Sequence, residues 1–266
     1  MFKNWMRQVF LQRGVFLQRA TREEDIEGML RLTRPVTTDK KLLRIGGEWD
    51  GGYLVPDDLE GIRYCFSPGV STTATFEADL AGRGIESFMA DYSVPGPPLL
   101  SPMFHFERKF LGACNNDVFM TLRDWMSRNV PETGDNLLLQ MDIEGGEYDV
   151  IFDTPESTWK RFRILVVEFH FLNAVFEPVG LRMISLCLSK LLEVFDLVHI
   201  HPNNRTGSSK RGGIEIPAVA EFTFLRKDRV ARREFTQSFP HPLDRPNVPG
   251  MPDLILPKCF YSVTGR

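Results

Sequence analysis

The sequence predicts an α/β fold: a seven-stranded, mostly parallel sheet with helices on both faces, preceded by an N-terminal helical cap. Three observations predict it. From about residue 40, apolar runs alternate with helix-periodic stretches, the order that builds parallel sheets through crossover helices. Two runs, Asn136–Met141 and Arg163–Glu168, are nearly continuous in apolar residues, as strands buried on both faces require. Polar residues then collect at the carboxyl ends of the strands, where open α/β sheets bind ligands.

Taken in order, residues 1–34 read as amphipathic helix, with Phe2, Trp5, Met6, Val9 and Phe10 at helical spacing. The basic face is thin, which favours a cap on the main domain over a membrane-surface helix. Residues 1–38 are therefore expected to form an extension, and residues 39–266 one domain with a C-terminal surface tail. Ile62–Ser67 is the first strand. Thr72 or Thr73 caps a helix running through Phe76 and Leu80 to Gly82 and Gly84. Glu86–Ala90 is the second strand, and a Pro/Gly-rich loop at 94–98 leads to a third at His105–Leu111. A capped helix spans Thr121–Asn129, and Asn136–Met141 is the fourth strand. Arg163–Glu168 is the fifth, helix periodicity covers Leu181–Phe195, and Leu197–Ile200 and Val219–Leu225 complete the set. The loop Asn203–Pro217 contains Gly207, Gly212 and Gly213 among Ser, Lys and Arg. It reads as a mobile segment suited to a lid.

Composition narrows the function. With 266 residues, 42% hydrophobic and 25% charged, the chain can bury one substantial core. A net charge of −3 leaves no basic excess for nucleic acid or a bilayer surface. Cys65, Cys114, Cys187 and Cys259 are scattered without a CxxC pair, which argues against zinc or a redox dithiol and for reduced thiols in a cytoplasmic protein. No secretory or membrane-spanning apolar run is present.

The strand ends carry the candidate chemistry. The first delivers Ser67-Pro68-Gly69-Val70-Ser71, and the second delivers Asp91 about 20 residues later. A glycine there lets the backbone approach a ligand, and an acid at the second position can bind both ribose hydroxyls of an adenosine cofactor. No G-x-G-x-x-G occurs, which counts against NAD or FAD. The fourth strand delivers Asp142 and Glu144, side chains on one face if the strand continues, followed by the turn Gly145-Gly146 and a helix start at Glu147. The fifth delivers Glu168 and His170; the sixth delivers His199 or His201, then Asn203 and Asn204. Asp142, Glu168 and His170 offer a ligand set for a divalent metal. Alternatively Asp142, His170 or His201 takes a proton as a base. Each His can equally be a satisfied buried residue. Glu221, odd inside an apolar strand, is a candidate partner for one of them. Asp50 and Tyr53 lie in a glycine-rich stretch, Arg44–Tyr53, readable as a ligand-packing loop or as a hairpin with an Asp-Gly turn.

The segment Leu137–Ile151, LLLQMDIEGGEYDVI, resembles the signature of the FkbM-type methyltransferases. DGGYLVP at 50–56, FSPGVSTTATFEADLA at 66–81, TLRDW at 121–125, VVEFH at 166–170, HPNN at 201–204 and FPHPLDRPNVPGMPD at 239–253 are similar to stretches of one branch of that family. The resemblance covers roughly 40–255. It implies a Rossmann-like class I fold that binds S-adenosyl-L-methionine and O-methylates a sugar or natural-product hydroxyl. It places Gly69, with Ser67 and Ser71, in the cofactor loop, Asp91 on the ribose and Asp142 beside the transferring methyl. Asp50, Tyr53, Glu144, Asn203 and Asn204 are then expected around a small-molecule or glycan acceptor, in a chain able to form homo-oligomers. The loop at 68–71 has fewer glycines than the commonest methyltransferase loop. Two rival readings remain: a metal-dependent hydrolase using Asp142, Glu168, His170 and His201, and a non-catalytic binding module on a degenerate Rossmann domain.

Overall fold

The computed structural model describes residues 2–132 and 136–262. Its main sheet has seven strands: β1 (Tyr64–Pro68), β2 (Glu86–Ala90), β3 (Phe104–Glu107), β4 (Leu137–Met141), β5 (Phe162–Phe169), β6 (Phe195–Pro202) and β7 (Ala220–Arg226). Their order is β6-β7-β5-β4-β1-β2-β3. Neighbours run parallel except β7, which is antiparallel to both β5 and β6. This is the expected Rossmann-like class I arrangement.

The helices follow from local sequence. In α1 (Phe2–Gln12) the helix stops at Gly14, whose φ of +75° suits glycine. A separate α2 (Glu23–Leu32) then begins with Glu23, Glu24 and Asp25 in its first turn, where acids meet the positive end of the helix dipole. The single helix expected over 1–34 is thus two. Next, α3 (Thr75–Gly82) starts after Ala74 without a side-chain cap, so neither Thr72 nor Thr73 caps it. In α4 (Leu122–Asn129) the Thr121 side chain accepts from the Asp124 amide at 3.3 Å, as the sequence suggested. Short helices α5 (Glu147–Asp153) and α6 (Glu156–Trp159) precede β5, and α7 (Pro178–Val194) opens on proline, whose missing N–H costs nothing in a first turn.

Both faces of the sheet are covered. Along β5, Leu165, Val167 and Phe169 enter one core cluster, while Ile164 and Val166 enter the other. That alternation is what a two-residue side-chain period gives when both faces are packed. The larger cluster holds Trp125, Trp159, Phe162 and the inner face of α7; Ile26, Met29 and Leu30 of α2 join it. The smaller holds Phe76 and Leu80 of α3 with Ile45 and Val55. Each large side chain so buried stabilises by about 1.5–3 kcal/mol.

Two further expectations are corrected. The third strand breaks after Glu107; Phe110–Gly112 instead pairs with Phe119–Thr121 in a separate two-stranded sheet. The segment expected to be a mobile lid is a hairpin, Ser208–Arg211 with Ile214–Pro217, and Ile214 and Ile216 are buried in the main core. No helix among the described residues is long and apolar enough to cross a membrane.

Candidate active site

From β1 the chain moves outward to β2 and β3; β4 then returns to the other side of β1. That reversal opens a crevice at the carboxyl ends of β1 and β4, the place where doubly wound sheets bind ligands. Gly69 sits at its base with φ +96°. A Cβ there would stand 1.5 Å from the Asp142 carbonyl oxygen, so no side chain fits. The Gly69 amide donates to Ala90 O at 2.9 Å and the Asp142 amide to Pro68 O at 3.3 Å, tying the ends of β1, β2 and β4 together.

Above this knot lies a cavity of about 780 Å³. Asp50 and Tyr53 reach it from the glycine-rich stretch, Gly69 and Ser71 from the loop after β1, and Asp91 from the end of β2. Asp142 and Glu144 follow β4, Glu168 and His170 end β5, and Asn203 follows β6. The stretch around Asp50 is both things the sequence allowed: Leu42–Ile45 and Tyr53–Pro56 form a hairpin, and its loop walls the cavity. Asp91 Oδ1 accepts the amide and hydroxyl of Ser93 at 2.7 and 2.6 Å.

Ser67, His201 and Asn204 are not on the cavity wall. The Asn204 amide nitrogen donates to the carbonyls of Val248, Met251 and Pro252. His201 is buried, with Nδ1 3.3 Å from Glu221 Oε2, the partner suspected from sequence, and Nε2 3.4 Å from Asp253 Oδ1. Ser67 Oγ contacts Glu77 Oε1 and lies 2.7 Å from Gln140 Oε1. The four-residue set of the hydrolase reading is therefore not gathered around one cavity.

What does gather is Asp142, Glu144 and Glu147 around His170. The His170 Nε2 lies 3.3 Å from Glu144 Oε2 and 3.9 Å from Asp142 Oδ1; its Nδ1 lies 3.3 Å from Glu147 Oε1. Glu147 is fully buried. Its Oε1 accepts from the amides of Ile143 and Gly145 at 2.9 and 3.3 Å, and so closes the turn, while Oε2 is buried without a partner. Tyr148 OH donates to the His170 carbonyl at 2.6 Å and fixes that backbone. Burial pushes the Asp142 carboxyl up to about 7 against the pull of His170. Burial alone would lower His170, but Glu147, Asp142 and Glu144 together raise it. Burial, then Asp142 and Glu221, hold the Glu168 carboxyl well above the usual range, and Asn203 Nδ2 donates to its Oε1 at 2.9 Å.

Two non-glycine residues among those described have left-handed backbone, Glu144 at φ 56° and Phe171 at φ 57°. They follow β4 and β5, beside Asp142 and His170. Such strain persists only where the surroundings hold it, and it collects at functional sites. The Phe171 ring covers Gly145, where a Cβ would meet Cε2 at 2.5 Å.

Asp142, Glu147 and His170 each offer a ligand atom within 4.8 Å of the others. Their oxygen and imidazole donors suit a hard divalent cation. The set differs from the expected one: Glu147 stands where Glu168 was foreseen. Sequence reading also missed Glu77, Gln140, Phe110, Phe119 and Arg205 on the wall. Gln140 had a signal, as the one polar residue inside LLLQM, and Glu77 as a carboxylate between Phe76 and Leu80.

Residues 119–199 match the family model described as the methyltransferase FkbM domain. No curated protein matches the chain. Among solved structures it is similar to a prophage-encoded E. coli protein assigned as a DNA modification methyltransferase, with 6% identity and TM-score 0.39. That match covers 63% of this chain and 47% of the other, so the chain spans less than half its length. A fibrillarin/Nop5p complex matches at 11% identity and TM-score 0.38, covering 73% and 98%. The magnesium protoporphyrin IX methyltransferase of Synechocystis PCC 6803, with bound S-adenosylhomocysteine, matches at 12% and TM-score 0.34, covering 64% and 76%.

Proposed function

We propose that this chain is an S-adenosylmethionine-dependent methyltransferase that methylates a hydroxyl of an uncharged sugar or natural-product acceptor. One observation carries the reading: Gly69, pressed onto the Asp142 carbonyl, opens a cavity between Asp91 and Asp142 at the reversal in strand order. The match at 119–199 supplies Asp142, its turn and His170.

The residues fit the donor. At about 780 Å³ the cavity lies within the usual 300–1,000 Å³ of ligand pockets. Asp91 stands where a ribose-binding acid belongs. Asp50, Glu77, Asp91, Asp142, Glu144 and Glu168 face the cavity, against Arg205 and His170. Such a wall favours a sulfonium cation over an anionic ligand. The bound donor supplies an electrophilic methyl. The protein aligns the acceptor oxygen with it and takes the hydroxyl proton. Asp142, titrating at about 7, is the first acceptor of that proton, with His170 beside it. Asp142, Glu147 and His170 would hold a divalent cation if one lowers the hydroxyl pKa; turnover that survives EDTA assigns the step to the side chains alone. Asn203, Asp50 and Tyr53 line the remaining wall for the acceptor. The four free cysteines suit a reducing cytoplasm.

Isothermal titration with S-adenosylmethionine tests the donor. Micromolar binding is expected, weakened about tenfold or more by Asp91→Ala through loss of a charge-assisted hydrogen bond. No binding to the native chain would sink the reading.

A further inference from the structure

Glu77, like Glu144 and Glu168, is a cavity acid that the reaction outlined above leaves without a task. It follows Phe76 in the first turn of α3, and its side chain turns back under the loop after β1. There Oε1 contacts Ser67 Oγ, Ser67 Oγ lies 2.7 Å from Gln140 Oε1, and Gln140 Nε2 donates to Tyr53 OH at 3.2 Å. Ser67 has one hydroxyl proton for two acceptors. As the amide stands, the chain closes only with a proton on Glu77; with the amide turned over, Ser67 donates to the carboxylate. In both arrangements the carboxyl meets no cationic side chain among the described residues. It is 4% exposed, and burial pushes it above the ordinary carboxylate range against the opposing pull of Ser67. A buried carboxyl on the wall of a cavity, hydrogen-bonded on its protein side and lacking a counter-charge, is a site for a ligand cation.

Position says which cation. Asp91 ends β2 on one side of β1, while Glu77 contacts Ser67 of β1 and through it is linked to Gln140 of β4 on the other. A donor with its ribose at Asp91 and its body across Gly69 carries its amino-acid end toward Glu77. We infer that Glu77 is the counter-ion for the α-ammonium of the methyl donor, and that donor binding drives a proton from Glu77 into solvent. The ammonium keeps its own proton. The Ser67–Gln140–Tyr53 chain holds the carboxyl in place from below. The inference rests on the methyl-donor reading and goes beyond it, because it makes cofactor affinity depend on the protonation of a residue outside the reacting atoms.

The test is titration calorimetry of the full chain with S-adenosylhomocysteine and with its analogue lacking the α-amino group. It is run at about pH 6 in two buffers of different ionisation enthalpy, which counts protons released. The native chain is expected to release a proton on binding S-adenosylhomocysteine, and to bind the analogue about tenfold or more weakly, without release. Glu77→Gln should release none and bind the two ligands alike. Because the two ligands are compared first on the native chain, the result stands even if the variant fails to fold. Equal affinity for both ligands on the native chain, or discrimination undiminished in Glu77→Gln, overturns the role of Glu77 while leaving the methyl-donor reading intact. Binding of neither ligand overturns both.

Discussion

Asp142 faces opposing demands. Its carboxyl is half-buried beside three other acids, which favours the proton-bound form, yet only the carboxylate can take a hydroxyl proton. Turnover should therefore rise as pH climbs through about 7, and Asp142→Asn should lose that rise along with at least tenfold in rate. The stability sign runs the other way. A carboxyl whose folded pKa lies above its unfolded value binds its proton more tightly when folded, so folding loses stability between about pH 4 and 7. Asp142→Asn should thus melt no lower than the native chain at pH 8; a sharp fall would assign Asp142 a structural role. Gly69→Ala is expected to do the opposite, costing several kcal/mol and abolishing cofactor binding, because its Cβ would overlap the Asp142 carbonyl. Residues of this kind were legible because they stand at strand ends, and a strand end can be counted from a hydrophobic run. Glu77 and Glu147 do not stand at strand ends. Glu77 reaches the site by folding back across the turn from α3 to β1, and Glu147 does so by reaching back over its own turn to Ile143 and Gly145. Neither contact follows from spacing along a strand.

Elements with a two-faced core were the most legible. The runs behind β4 and β5 are nearly continuous in apolar residues, since α-helices or the 42–56 hairpin cover each side. The hairpin at Ser208–Pro217 was misread for the complementary reason. Its tip, Lys210 to Gly213, is polar and glycine-rich, as loops are, while Ile214 and Ile216 carry its apolar anchorage in the main core. Two buried side chains separated by one polar residue are a strand signal too short to stand out. The consequence is testable. If the hairpin is structural, Ile216→Ala should cost about 2–4 kcal/mol and lower the melting temperature by several degrees. A mobile lid would tolerate the change with an unaltered melting temperature and an altered turnover.

Across the whole molecule, two histidines outside the cavity, His199 and His201, fasten the C-terminal segment to the sheet. His199 Nε2 meets Asp244 Oδ1 at 2.8 Å, and His201 lies between Glu221 of β7 and Asp253 of the segment. Asn247 Nδ2 donates to the other oxygen of Glu221 at 2.6 Å. The segment ends with Leu256, Phe260 and Tyr261 in the main core, so its release would expose apolar surface next to the sheet. This clasp has a pH window. Burial alone would lower His201, but Glu221 and Asp253 raise it to about 10. A histidine raised in this way contributes fully below its unfolded pKa of about 6.5, and the contribution is gone above about 10. Burial likewise opposes Asp244, but His199 carries that carboxyl below its usual value; its contribution is complete above about pH 4 and fades in acid. The clasp is therefore tightest between about pH 4 and 6.5, below the range in which Asp142 becomes competent. Thermal midpoints should decline from about pH 6.5 toward 10, and His201→Gln should flatten that decline while lowering the midpoint at pH 6. Asp244→Asn should flatten the acid side instead. An alkaline decline unchanged in His201→Gln would place the sensitivity elsewhere and leave the segment held by its apolar end alone.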